Sequence, residues 1–217
     1  MKNLGIDTAV IMRSVFYDKC IYPSKRYAEK KRDYDDFIGL VLDEADKLGL
    51  KIYIGLYISN LTWNDGDYET EIKENEFLVD EILELYGHHE SFIGWYLPHE
   101  VGHENYNFVP VTVGLIEILK RKSADKLILL SPFFRGQNLY PDPQLTPEQT
   151  YEEWDRMFAH FGKDIDVCAF QDGTVMLEDY AKYLNTTVEA IKKWNDTVDH
   201  TNQSVAVYLT VTDSEGN

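Results

Sequence analysis

Apolar positions along this chain follow two periods that take turns. Short apolar runs bounded by turn residues occur at Ile6 to Met12, Lys51 to Tyr57, Phe92 to Leu97, Lys126 to Ser131, Ile165 to Phe170 and Ser204 to Val211, which suits buried strands. Between them, Tyr34 to Leu48, Glu71 to Tyr86, Val109 to Lys122 and Thr146 to Phe161 carry apolar residues at helical spacing, as do Leu177 to Leu184 and Thr187 to Val198. The strand starts lie about 34 to 45 residues apart, the length of one βα unit with a modest loop. Strand and helix alternate throughout, so a parallel sheet is predicted.

Two boundaries refine this picture. In D-E-A-D-K-L-G-L-K-I-Y-I-G-L-Y a helix ends at Leu48, Gly49 supplies a left-handed cap, and a strand follows. M-K-N-L-G-I-D-T-A-V-I-M-R repeats the arrangement with Gly5 in the role of Gly49, as if the chain began inside the last turn of a helix. One unit missing before and one after would bring six strands to eight, so the expectation is a single α/β domain over residues 1–217. It would be a (β/α)8 TIM-barrel type, incomplete in this chain and truncated at both ends. Two open barrel edges would then invite self-association. An open doubly wound sheet is the alternative, but neither G-x-G-x-x-G nor G-x-x-x-x-G-K-[ST] is present.

Composition narrows the partners. The chain has 217 residues, 44% of them hydrophobic, enough for one sizeable core. Asp and Glu number 38 against 21 Lys and Arg, a formal charge of −17 that repels nucleic acid and an anionic membrane alike. No apolar run approaches the roughly 20 residues of a membrane span, and M-K-N-L-G-I-D does not read as a signal peptide. Cys20 and Cys168 are the only cysteines, and Cys168 lies in an apolar run, which argues against a disulfide framework. The sequons at Asn60, Asn185, Asn195 and Asn202 are too short a pattern to place the protein in a compartment.

The predicted strand ends share a chemistry. After the first come Arg13, Phe16, Tyr17, Tyr22 and Pro23; after the second Tyr57, Asn60 and Trp63; after the third, which carries Trp95, come His99 and Glu100. Phe133 and Phe134 follow the fourth strand, Gln171 and Asp172 the fifth, and Asp213 and Glu215 the last. In parallel α/β folds the carboxyl ends of the strands carry the active site. Rings interleaved with carboxylates and amides suit a carbohydrate, whose faces stack on aromatics while its hydroxyls take directional hydrogen bonds.

G-W-Y-L-P-H-E, together with G-I-D-T-A-V-I-M-R, Y-P-S, S-P-F-F and F-Q-D-G, resembles a bacterial family of uncharacterised glycoside-hydrolase-like TIM barrels, a domain of unknown function, over nearly the whole chain. Such barrels look distantly similar to the large retaining glycosidase clan whose acid/base glutamate follows the fourth strand and whose nucleophile follows the seventh. With one strand counted upstream, the resemblance implies Glu100 as acid/base and Asp213 or Glu215 as partner. His99 stands where that clan usually has Asn. Arg13, Tyr17, Tyr57, Trp63, Trp95, His99, Phe133 and Gln171 are the expected lining of the cleft, with no cofactor and no metal.

The chemistry stands apart from the family. Glycosidic cleavage needs one protonated carboxyl to release the alcohol and one ionised carboxyl to attack or to activate water; about 5 to 5.5 Å between them indicates retention and about 6.5 to 9.5 Å inversion. Desolvation beside Trp95 and Tyr96 would raise the pKa of Glu100, as an acid requires. Asp172 is a further carboxylate candidate, or a turn residue before Gly173. Two other readings use the same residues. One is a non-catalytic carbohydrate-binding barrel. The other is a zinc metallopeptidase through His99-Glu100-x-x-His103, against which stand Pro98 before the motif and Gly102 within it.

Overall fold

The computed structural model describes residues 5–17, 19–29, 35–59, 62–99, 106–133, 145–171 and 177–198. In chain order its strands are β1 (Thr8–Ile11), β2 (Val15–Phe16), β3 (Lys19–Cys20), β4 (Lys51–Gly55), β5 (Tyr57–Ile58), β6 (Phe92–Leu97), β7 (Leu127–Leu130) and β8 (Val167–Cys168). Its helices are α1 (Phe37–Leu48), α2 (Tyr68–Tyr86), α3 (Phe108–Lys122), α4 (Pro147–Phe161) and α5 (Leu177–Lys192). Strands β1, β4, β6, β7 and β8 pair in that order, all parallel, and curl into a half-barrel of the TIM type. A second sheet was not anticipated: β3, β2 and β5 pair in that order, with β2 and β3 antiparallel. The predicted strand at Ser204 to Val211 lies outside the described residues.

Local chemistry sets the element ends. Asp36 caps α1 by accepting a hydrogen bond from Gly39 N at 2.8 Å. At its other end Gly49 adopts φ 61°, and the chain closes with Leu50 N donating to Ala45 O at 3.0 Å, so the next residues enter β4. Gly5 also has a positive φ, 76°, ahead of β1. Thr146 and Gln149 form a capping box at the start of α4, with Pro147 in its first turn. Two helices were expected between Leu177 and Val198, but α5 runs unbroken to Lys192. The hydroxyls of Thr186 and Thr187 explain this, because they donate back to Lys182 O and Tyr183 O at 2.6 and 3.0 Å instead of breaking the turn.

The sheet has two buried faces. Ile52, Ile54, Phe92, Trp95, Leu97, Ile128 and Leu130 pack against the helices in the larger core. Tyr53, Tyr96, Leu129 and Val167, with Met12 and Ile93, form the smaller cluster inside the curl. Strict alternation would put Phe92 and Trp95 on opposite faces, yet both face the helices. A bulge reconciles them: Ile52 pairs with Phe92 and Tyr53 with Gly94, so Ile93 is the extra residue and the alternation restarts after it. Above the bulge, Tyr96 lies in register with Leu129, and Leu129 with Val167, which builds one interior layer. The layer nearer the amino ends is open, with Val10 and Leu127 40% and 39% exposed.

Candidate functional site

The first strand end is bent to serve the mouth. Ile11 pairs with Ile54 and Val15 with Tyr57, so Met12, Arg13 and Ser14 face only Gly55 and Leu56, a second bulge. Ser14 holds it by donating its N–H and its hydroxyl to Gly55 O, at 3.0 and 2.6 Å. Glycine is required at 55, since a Cβ there would lie 2.0 Å from Met12 O. The bulge delivers Arg13, whose guanidinium lies 4.3 Å from the Phe16 ring centroid and forms no ion pair with the described residues. Its Nε is buried without a hydrogen-bond partner among the described residues. Tyr17, in the turn between β2 and β3, is 48% exposed, packs edge-on against Phe16, and has φ 49°. A left-handed conformation costs a bulky residue roughly 1 to 2 kcal/mol.

The next segment is clamped onto α2. Glu81 accepts from Tyr22 Oη at 2.9 Å, Ser24 Oγ at 2.5 Å, and the N–H groups of Lys25 and Arg26 at 2.8 and 3.2 Å. Burial alone would raise its pKa, but these four donors hold the carboxyl below its ordinary value. Glu74 accepts from Arg26 and from Tyr27 Oη at 2.7 Å, and chiefly the Arg26 hydrogen bond lowers its pKa as well. Tyr27 thereby stacks on Tyr57, with ring centroids 5.7 Å apart and planes at 5°. Asn75 grips the backbone of Tyr57 on both sides, accepting from its N–H at 2.9 Å and donating to its carbonyl at 3.1 Å.

At the end of β6 lies a buried pair that sequence reading missed. His99 is 1% exposed, and its Nε2 is 2.8 Å from Oε1 of Glu71 on α2, whose side chain is fully buried. Both Glu71 oxygens also accept from Ser59 N, at 3.0 and 3.2 Å, which ties the chain after β5 to the same carboxylate. Trp63, 2% exposed in a 3₁₀ turn over Thr62–Asp65, meets the His99 ring edge-to-face at 5.1 Å. His99 Nδ1 and Trp63 Nε1 are both buried without a hydrogen-bond partner among the described residues. Further round the mouth, Phe133 and Gln171 pair as a parallel bridge, and Gln171 Nε2 donates to Ser131 O at 2.9 Å.

Arg13 and Tyr17, then Tyr57, Trp63 and His99, then Phe133 and Gln171 therefore stand at successive carboxyl ends of the half-barrel. Trp95 is a correction. The bulge at Ile93 turns it away from the curl and onto the helices, where it is fully buried and donates Nε1–H to Ser123 Oγ at 2.8 Å. Glu100, Asp172, Asp213 and Glu215, with His103 of the zinc reading, lie outside the described residues. His99 follows β6 directly, not on a helix, and its Nε2 is engaged by Glu71. Among the described residues no three His, Cys, Asp or Glu side chains gather to hold a metal ion. Cys20 and Cys168 are buried and are not joined in a disulfide.

A parallel α/β half-barrel with polar and aromatic side chains at its carboxyl ends defines the class. The chain belongs to the family described as Domain of unknown function (DUF4434), whose model matches residues 1–211. No curated protein matches it. Among solved structures it is similar to a putative alpha-L-fucosidase from Bacteroides thetaiotaomicron, at 28% identity and a TM-score of 0.82, covering 89% of this chain and 63% of that one. It is also similar in fold to the intracellular xylanase TsXylA of Thermoanaerobacterium saccharolyticum, at 10% identity and a TM-score of 0.52, covering 85% of this chain and 62% of the xylanase. The chain thus spans less than two thirds of the length of either protein. Its fold is that of glycoside-hydrolase-like TIM barrels.

Proposed function

We propose that this chain carries the catalytic face of a glycoside hydrolase acting on an oligo- or polysaccharide, with Glu100 as general acid/base and Asp213 or Glu215 as the partner carboxylate. The likeness to the putative alpha-L-fucosidase over 89% of the chain carries the reading. The geometry before Glu100 adds to it, because Glu71 fixes His99 at the end of β6 and so anchors the residue from which Glu100 departs. In the reaction Glu100 gives its proton to the glycosidic oxygen as the bond to the anomeric carbon breaks. The partner carboxylate either attacks that carbon or takes a proton from the attacking water. Arg13, without an ion pair among the described residues, suits an ionised partner carboxylate, since a nearby cation favours the charged form. Tyr17, Tyr57 and Phe133 offer ring faces, and Gln171 an amide, to the sugar.

The full-length protein incubated with a panel of nitrophenyl glycosides tests the proposal. Release of nitrophenol by at least one glycoside, abolished by replacing both Asp213 and Glu215 with alanine, is expected. Sugar binding without turnover across the panel would favour the non-catalytic carbohydrate-binding barrel. Cleavage of a peptide substrate, lost on dialysis against a chelator and restored by zinc, would favour the zinc metallopeptidase.

A further inference from the structure

Two contacting rings at the end of β6 each hold one unsatisfied polar atom. As a carboxylate Glu71 can only accept, so the proton in its 2.8 Å contact with His99 belongs to Nε2. In the neutral imidazole this leaves Nδ1 as a bare lone pair. Trp63 Nε1 can only donate. A donor and an acceptor therefore sit on rings 5.1 Å apart, 2% and 1% exposed, and neither finds a partner among the described residues. Leaving such groups unpaired is costly. One ligand group satisfies both at once, because a hydroxyl accepts through its oxygen and donates through its hydrogen.

We infer that Trp63 and His99 form a subsite for a single sugar hydroxyl, which accepts from Trp63 Nε1 and donates to His99 Nδ1, with Glu71 as the positioning residue that sets the imidazole tautomer. This deepens the proposed function and rests on it for the class of ligand. Neither Glu71 nor the donor–acceptor pairing follows from the likeness to glycosidases; both come from the buried hydrogen bonds. A site that hydrogen-bonds a hydroxyl at both ends rejects the deoxy sugar, since removing the hydroxyl strands two buried groups. The subsite is thus a device for choosing among sugars and leaves bond cleavage to the carboxylates.

The test uses the full-length protein labelled with nitrogen-15, with methyl alpha-L-fucoside and xylotriose as probes, together with the monodeoxy analogues of each. Without sugar, the His99 resonances are expected to show Nε2 protonated and Nδ1 bare, and Glu71→Gln is expected to shift that balance toward the other tautomer. Saturation with a bound probe should move both the Trp63 indole and the His99 Nδ1 signals. One monodeoxy analogue should then bind about 5- to 100-fold more weakly than its parent to the native protein, and the gap should narrow in Trp63→Phe, which keeps only the His99 contact. A protonated Nδ1, or unchanged resonances with both probes, as a retained bridging water would give, overturns the subsite. So does deoxy discrimination undiminished in Trp63→Phe. Hydrolysis is read separately by nitrophenol release: discrimination without turnover keeps the subsite and removes the hydrolase, and turnover without deoxy discrimination does the reverse.

Discussion

Replacing Glu71 with alanine tests the framework on which the site stands. The substitution removes the acceptor for two buried donors, His99 Nε2 at 2.8 Å and Ser59 N at 3.0 Å, and opens a gap where a fully buried side chain stood. Each of the two stranded donors costs about 1 to 3 kcal/mol. A total loss of about 4 kcal/mol is therefore expected. In urea, where a chain of this length has a slope of about 2 to 3 kcal/mol/M, the unfolding midpoint should fall by about 1.5 M with the slope unchanged. Glu71→Gln keeps one oxygen able to accept, so it should cost less than half as much. A loss below about 1 kcal/mol for the alanine variant, or equal losses for alanine and glutamine, would refute the account of Glu71 as the tie between α2, the chain after β5 and His99.

Other consequences are equally direct. Gly55→Ala would drive a Cβ to within 2.0 Å of Met12 O, so the bulge must shift, with a loss of about 1 to 3 kcal/mol in chemical denaturation and a weakened substrate affinity through Arg13. Trp95→Phe removes the hydrogen bond to Ser123 and part of a core ring; it should lower the unfolding free energy by about 1 to 3 kcal/mol while KM stays unchanged, since the ring faces the helices. Glu74 and Glu81 have folded pKa values below the ordinary glutamate value, so the stability they contribute is present above about pH 4.3 and is lost as pH falls through the folded values. A melting-temperature profile from pH 7 to pH 3 should fall at the acid end, and Glu81→Gln should flatten that fall.

The main sheet was readable because each parallel strand is an apolar run and each crossover is a helix, and Gly49 marks one boundary by its left-handed φ of 61°. Strands of two residues, such as β2, β3 and β5, are too short to show a period. The bulge at Ile93 was hidden as well, although Gly94 hints at it: a Cβ there would meet Leu127 O and the Tyr53 ring, each at 2.5 Å. Without that bulge Trp95 reads as a neighbour of the mouth. Glu71 was illegible for another reason. In Y-E-T-E-I-K-E-N-E it is one of several acids near a helix start, where negative charge is ordinary, and only the fold turns this one inward. The residues at the ends of β1, β5 and β6 were legible because rings and polar groups recur at every turn from strand to helix.

The central claim concerns Glu100, and its most direct measurement is the leaving-group dependence of Glu100→Gln. Glutamine keeps the shape and removes the proton that must reach the departing oxygen. On a glycoside with a poor leaving group, where departure needs that proton, kcat should fall by about 100- to 10,000-fold. On a dinitrophenyl glycoside, whose departure needs little protonation, the acid's assistance is nearly dispensable and the bond-breaking step should fall by less than about 10-fold. Equal losses on both substrates, or activity untouched on either, would contradict the account.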